Sequence, residues 1–451
     1  MKKLLLGSTA LVVGGLMAAP AMAADPIKIG VGGYYTFYAG AGSIGATYAG
    51  NGTVTTYKGI DFFQEGEIHF IGQSKLDNGT TVGLRVELEG HNPSSATANG
   101  QIDEAFLFAF GDWGRVEFGA KDGAAYIMQY TTPSALIGFG FFNPNHVYGN
   151  NSAVANNKAW HGAASTTIEN NFQDVNRINY YTPRFAGLQI GVGYAPKINV
   201  AAPGGQVANG TGGLAGICGY ANATKAPVCP SADYSYQDMF DVGVNYLNKF
   251  GDVSIALSAG YMNATFVPGF APLAGGANMI TGANMTNWKA AVVGANISFA
   301  GFTLGGNVGW DNNGLGANYF TGVDNDTRYY TVGLMYETGA WQISAGWAGF
   351  RNTNGNGSST VAAIAPGTNT ITLNTATAGG VPGVNSTAFG GGAASLQFGQ
   401  ETMDKFEIGA NYALGPGIKL VGGFTYFQLG GPTNAVSGDS WVALLGMDLR
   451  F

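Results

Sequence analysis

Glu65, Glu67 and His69 stand at every second position of "EGEIHF", and Arg85, Glu87 and Glu89 do the same in "RVELE". Arg115, Glu117 and Lys121 keep the even spacing in "RVEFGAK". A step of two is the period of a β-strand, so each set projects from one face of an extended chain. The alternate positions, Ile68 and Phe70, Val82 to Leu88, and Val116 and Phe118, are apolar and face the other way. Acids, bases and an imidazole gathered on one face suit two kinds of chemistry. One is proton transfer or nucleophilic catalysis. The other is a fixed-charge wall beside water, where opposed charges create a transverse field that sorts solutes by charge and dipole.

Catalysis lacks its parts. A hydrolase needs a Ser–His pair with an acidic or amide partner. The four histidines, His69, His91, His146 and His161, are accompanied by no G-x-S-x-G, and "GDSW" at 438–441 opens a strand rather than a nucleophile turn. The chain is therefore not expected to be an enzyme.

The strands that would hold such a wall recur along the whole chain as hairpins: "HFIGQSKLDNGTTVGLRVELEG", "EAFLFAFGDWGRVEFGAKD", "INYYTPRFAGLQIGVGY", "VGVNYLNKFGDVSIALSAGY", "ANISFAGFTLGGNVGW", "TVGLMYETGAWQISAGW" and "FEIGANYALGPGIKLVGGFTYF". Their turns fall at 76–79, 111–114, 184–187, 248–252, 299–302, 337–340 and 413–417, with Asp-Asn-Gly and Gly-Pro-Gly as strong turn signals. Fourteen strands follow from these hairpins; an opening strand, Ile27 to Tyr38, and the terminal "WVALLGMDLRF" bring the expectation to sixteen. The remaining connections, near 40–60, 91–100, 122–176, 196–236, 263–287, 311–327, 353–402 and 429–439, are long and rich in Gly, Asn, Ser and Thr. Short turns at one end, long loops at the other and an even strand number predict an all-β, 16-stranded antiparallel transmembrane β-barrel.

Composition agrees. Only 10% of the 451 residues are charged and Gly numbers 74, against roughly 25% and roughly 7% in average soluble domains. Mean hydropathy of +0.08 is too low for a bundle of membrane helices. Strands of about 9–12 residues match a tilted crossing. Their small face carries Gly, Asn, Ser, Thr and charge, which in a barrel too wide to fill with side chains implies a watery lumen. Aromatics stand on the apolar face in two bands. Tyr194, Tyr261, Trp310, Tyr426 and Trp441 lie near the long loops; Tyr246, Tyr336, Trp341, Tyr412 and Phe451 lie near the short turns. Two bands at two depths are the girdles of a membrane barrel.

The N-terminus reads as an export signal: Met1-Lys-Lys, an apolar run to about Met17, then Ala21-Met22-Ala23. Residues 1–23 form the expected signal peptide, cleaved between Ala23 and Ala24, and 24–451 the barrel. Removing Lys2 and Lys3 leaves 18 basic residues against 27 acidic ones, a net charge of −9. That balance hints weakly at a cation-favouring passage and offers a nucleic acid nothing to bind. In an exported chain Cys218 and Cys229 are expected to form a loop disulfide, with no His near enough to make a metal pair.

"LDNGTTVGLRVELEG", "DEAFLFAFGDWGRVEFGAKDG", "INYYTPRFAGLQIGVGY" and the Phe-terminated last strand resemble the Gram-negative general porins, in their proteobacterial branch. The resemblance spans the mature chain. It implies a homotrimer in the bacterial outer membrane, in contact with lipid and lipopolysaccharide, with short periplasmic turns and long extracellular loops. Each monomer would be a separate aqueous pore for passive diffusion of ions and small hydrophilic solutes, narrowed by an inward-folded third loop. It also implies that Phe451 is the C-terminal signal read by the barrel-assembly machinery. The Pro-Glu-Phe-Gly-Gly signature of enterobacterial third loops is absent, so that loop's path does not carry over.

The third loop, about Lys121 to Asn176, is the longest connection and contains "TTPSALIGFGFFNPNHVYG". So apolar a segment is better placed against the inner wall than in open water. Its Asp122, Glu169 and Asp174 are then candidates to oppose Arg85, Arg115 and Lys121 across a constriction lined also by Glu65, Glu67, His69 and Glu87. A channel specific for a sugar or an organic anion is the alternative; it needs aromatics along the lumen, and Tyr329 and the third-loop aromatics are the available ones. No cofactor is expected; Asp324 and Asp326 in the sixth loop could contribute oxygens to a Ca²⁺ ion, although such loop acids are usually just solvated.

Overall fold

In a computed structural model the chain is described over residues 26–47, 54–90, 102–137, 166–168, 174–198, 219–220, 227–228, 235–267, 286–312, 326–354, 399–430 and 437–451. The strands begin with β1 (Lys28–Thr47), β2 (Val54–Lys75), β3 (Thr81–Glu89), β4 (Ile102–Gly111), β5 (Gly114–Lys121), β6 (Val175–Tyr181), β7 (Leu188–Ile198) and β8 (Ser235–Phe250). They continue with β9 (Val253–Val267), β10 (Trp288–Phe299), β11 (Phe302–Asp311), β12 (Thr327–Thr338), β13 (Trp341–Asn354), β14 (Gly399–Gly415), β15 (Ile418–Gly430) and β16 (Ser437–Arg450). Each pairs antiparallel with its neighbours in sequence, and β1 pairs with β16, so the sheet closes as a 16-stranded barrel. Gly219–Tyr220 and Pro227–Val228 form a separate two-stranded ladder between β7 and β8.

Closure removes every free edge, which a sheet in lipid requires because no water is there to satisfy unpaired backbone groups. At the seam Tyr35 faces Leu449 and Phe37 faces Met447. The ladder runs to the last residue, where Phe451 and Gly33 exchange backbone hydrogen bonds of 3.0 and 3.1 Å.

The seven tight turns lie where the hairpin pattern puts them. At the first, Gly79 takes φ +84° and donates to the Leu76 carbonyl at 2.9 Å, a left-handed conformation that glycine adopts without a Cβ clash. The outer face is an apolar band: Leu257, Val293, Ile297, Leu304, Leu334 and Ile408 are all exposed. In water such a band would be an aggregation surface; against acyl chains it is the expected solvent contact. Girdle aromatics pack in pairs, Phe302 with Tyr336 and Trp341 with Tyr412 near the turns, Phe424 with Trp441 near the loops. Among the described residues no helix is long and apolar enough to cross a membrane; the crossing elements are strands.

Three expectations change. β1 continues to Thr47 instead of ending near Tyr38, and β2 begins at Val54, so the first connection shrinks from 40–60 to 48–53. The strands span 7 to 22 residues rather than 9–12. The last connection is only 431–436. In each case backbone pairing continues through Gly-, Ala-, Ser- and Thr-rich sequence, such as Ala41 opposite Ile60 and Ala443. Small side chains give little contrast between faces, so the strand period is faint there.

Candidate pore constriction

Between β5 and β6 the chain turns into the barrel and runs around its inner wall. Asp122 to Ile137 form this strap, which includes the one-turn helix α1 (Ala124–Ile127). The Asp122 carbonyl accepts from Asn179 Nδ2 on β6 at 2.8 Å. The Ala125 N–H donates to Asp241 on β8, the Tyr130 N–H to Ser258 on β9 and the Ala135 N–H to Ser344 on β13, each at 2.8 Å. Thr132 bonds Thr331 on β12 and Ser134 bonds Glu407 on β14. Asn411 Nδ2 donates to the Ala135 carbonyl, and the Tyr38 hydroxyl on β1 donates to the Ile137 carbonyl. The small polar face read from the sequence thus has a second use: it supplies hydrogen bonds for a segment that has no sheet of its own. A buried backbone group left without one costs about 1–3 kcal/mol.

The wall under the strap is glycine. A Cβ on Gly243 would lie 2.9 Å from the Ala124 carbonyl, and one on Gly409 would lie 2.9 Å from Leu136. Gly294 faces the Tyr130 carbonyl, Gly305 faces Pro133 and Gly333 faces Thr132 with equally little room. Bare backbone on successive strands is what lets the strap lie flat. Leu136 ends it in an apolar pocket with Tyr38, Val421, Val442 and Leu444. Near its start, Asp241 also pairs with Arg177, both side chains about 1% exposed.

Past Asp122, which also donates its N–H to Glu104 on β4 at 3.1 Å, these contacts of the strap run from β8 round to β16 and β1. The inner face of β2 to β5 carries a further group of charges. His69 lies across the ladder from Glu87, and Glu67 from Glu89. His69 Nε2 is 2.8 Å from Glu67 and 3.7 Å from Glu87. Arg85 reaches Glu87 at 2.6 Å and His69 Nδ1 at 3.1 Å. Tyr34 donates to Glu67 at 2.9 Å. On β5, Arg115 pairs with Glu117 at 2.6 Å and lies over the Phe108 ring; Lys121 pairs with Glu104 at 2.7 Å and lies over Phe106.

A second acidic group forms where the third connection leaves and rejoins the barrel. Carboxylate oxygens of Glu104, Asp122 and Asp174 lie within 4.8 Å of one another. The two aspartates belong to the connection, outside the crossing strands. Burial, and then Glu104, push the Asp122 carboxyl up to about 7, and burial with Asp103, Asp122 and Glu104 pushes Asp174 up to about 9. Crowded like charges in a poorly solvated place favour the protonated form.

The sequence model for Gram-negative porins matches residues 7–432. The chain is a Gram-negative porin. It is similar in structure to an anion-selective porin from Comamonas acidovorans, at 14% identity and a TM-score of 0.50, over 94% of this chain and 100% of that one. It is also similar to the outer membrane channel DcaP of Acinetobacter baumannii, at 10% identity and a TM-score of 0.53, over 94% and 98%. At such identities the likeness is one of fold. No curated protein matches the sequence. Family and fold together make this a channel for passive diffusion across the outer membrane.

In this porin Glu67, His69, Arg85 and Glu87 of the β2–β3 wall come into contact through His69 and Arg85, with Glu65 two residues before Glu67 on β2, while Arg115 and Lys121 pair with Glu117 and Glu104. Asp122 and Asp174 do not stand across from the bases. They join Glu104 beside Lys121, because both lie within a residue of a strand end and the ladder of β5 with β6 holds them there. Glu169, Cys218, Cys229 and Asp324 lie outside the described residues. Asp326 accepts from the Trp310 indole at 2.7 Å and lies 3.9 Å from Arg328.

Sequence reasoning missed Glu104, the Arg177–Asp241 pair and the inward aromatics Tyr236, Trp288 and Phe350, which join Tyr329, the one strand aromatic already read as lumen-facing. In "DEAFLFAF" both faces are apolar, since Phe106 and Phe108 point inward under the bases of β5, so the pattern hides which way Glu104 faces. The four aromatics are at most 3% exposed and pack together at the loop end with Ile168.

Proposed function

We propose that the open passage lies between the strap and the inner face of β2 to β5, and that it is a general pore favouring cations. The carrying observation is the charge of that face: Glu65, Glu67, Glu87, Glu89, Glu104 and Glu117 outnumber Arg85, Arg115 and Lys121. Fixed negative charge along a narrow watery path concentrates cations and repels anions. In this reading Glu65, Glu67, His69, Arg85, Glu87, Arg115, Lys121, Asp122 and Asp174 border the constriction. The burial of Tyr236, Trp288, Tyr329 and Phe350 supports a general pore over a sugar- or organic-anion-specific channel, because aromatics packed together are not a track for a solute.

The working form is a homotrimer in outer-membrane lipid and lipopolysaccharide, which family membership supports. It is exported by a signal peptide cleaved after Ala23, assembled through recognition of the Phe451 end, and has no catalytic role or bound cofactor. Swelling of proteoliposomes in sugars of graded size tests the general-pore reading. Rates are expected to fall smoothly with solute size and to rise linearly with concentration. Saturable entry of one sugar or one organic anion would instead mark a specific channel.

A further inference from the structure

We infer that Glu67, His69 and Glu87 form a binding site for a transition-metal dication of the zinc class on the pore wall. The ligand atoms around a tetrahedral zinc stand roughly 3.3 Å apart, given metal–ligand distances near 2 Å. His69 Nε2 is 2.8 Å from Glu67 Oε2 and 3.7 Å from Glu87 Oε2, values that bracket that spacing. All three ligand atoms lie within 4.8 Å of one another. They project from two paired strands, with His69 directly opposite Glu87, so the backbone fixes their separation before any ion arrives.

The neighbours aim the site. Tyr34 donates to Glu67 Oε1 at 2.9 Å, and the Arg85 guanidinium forms an ion pair with Glu87 Oε1, its Nε 2.6 Å away. Each carboxylate is thereby left with Oε2 turned toward the imidazole, an outer-shell arrangement that orients metal ligands. The guanidinium of Arg85 can only donate, so His69 Nδ1 accepts and the ring proton sits on Nε2, toward Glu67. A dication that takes the Nε2 lone pair moves that proton to Nδ1. Arg85 then loses its acceptor on the ring and turns its free nitrogen to the lumen. One nitrogen and two carboxylates with an open fourth position suit zinc-like ions, whereas Ca²⁺ and Mg²⁺ prefer larger all-oxygen shells. Occupancy adds two positive charges to the wall and re-aims the guanidinium of Arg85, so metal binding sets both current and selectivity.

The inference rests on this wall bordering the water-filled passage. The test records single-channel currents of the purified porin in planar bilayers of neutral synthetic lipid, with micromolar Zn²⁺ added and then chelated. Zinc is expected to lower the conductance in a step that the chelator reverses and to lower the K⁺-to-Cl⁻ permeability ratio, while equal Ca²⁺ does neither. His69→Ala is expected to lose the response by more than about a hundredfold in zinc concentration, beyond what loss of an outer-shell partner gives. Arg85→Ala keeps all three ligands but loses the partner that orients Glu87, so it should still respond, at zinc raised by no more than about a hundredfold. A porin that conducts normally but ignores zinc overturns the site and leaves the pore intact. A response that survives His69→Ala, is matched by Ca²⁺, or is lost outright in Arg85→Ala also overturns it.

Discussion

Asp122 and Asp174 flank the third connection, one following β5 and the other preceding β6, against the same Glu104. Burial and neighbouring carboxylates push them up to about 7 and about 9, so near neutral pH Asp174 holds its proton and Asp122 is divided. Raising the pH from about 6 to about 10 ionises Asp122 first and Asp174 second, and each adds a negative charge to the wall. The K⁺-to-Cl⁻ permeability ratio should therefore climb in two steps, and Asp174→Asn should remove the upper one. A ratio that stays flat across that range would show that the pair is remote from the ion path. The wall residues themselves were legible because Ile68, Leu84 and Phe118 mark the opposite face without ambiguity. Glu104 was not, since its strand sets Phe106 and Phe108 inward as platforms for Lys121 and Arg115.

Among elements, the strap decides the shape of the passage, and its course depends on what the strands omit. A side chain on Gly294 would occupy the place of the Tyr130 carbonyl. Gly294→Leu should lift the strap away from β10 and toward the opposite wall, lowering single-channel conductance, with an overpacking cost of about 1–3 kcal/mol. Val293→Leu, one residue away on the exposed outer face, should leave conductance unchanged. Wild-type conductance in Gly294→Leu would mean that the strap does not lie on the glycine wall. The sequence shows those glycines plainly, at inward positions of hairpin after hairpin, and an inward third loop was expected. What it does not show is their partner, because the contact joins residues as far apart as Gly409 and Leu136. Strand ends were legible only where side chains contrast. The Gly- and Ala-rich stretch after Tyr38 pairs on both sides, but its small residues do not reveal that pairing.

For the whole molecule, hairpin spacing, turn chemistry and an apolar outer face were enough to specify sixteen strands, their closure and their solvent. These are properties of period and composition, and a barrel repeats them at every strand. Selectivity is not of that kind, since it depends on the few charges beside the narrowest water. The net charge of −9 expected after export points the same way as the β2–β5 wall, but the wall is the closer cause. The most direct measurement is the reversal potential of the purified porin in a planar bilayer under a KCl gradient at neutral pH. A carboxylate-rich constriction predicts the sign that reports K⁺ passing more readily than Cl⁻. A potential of the opposite sign, or none, would contradict a passage bordered by Glu65, Glu67, Glu87 and Glu104.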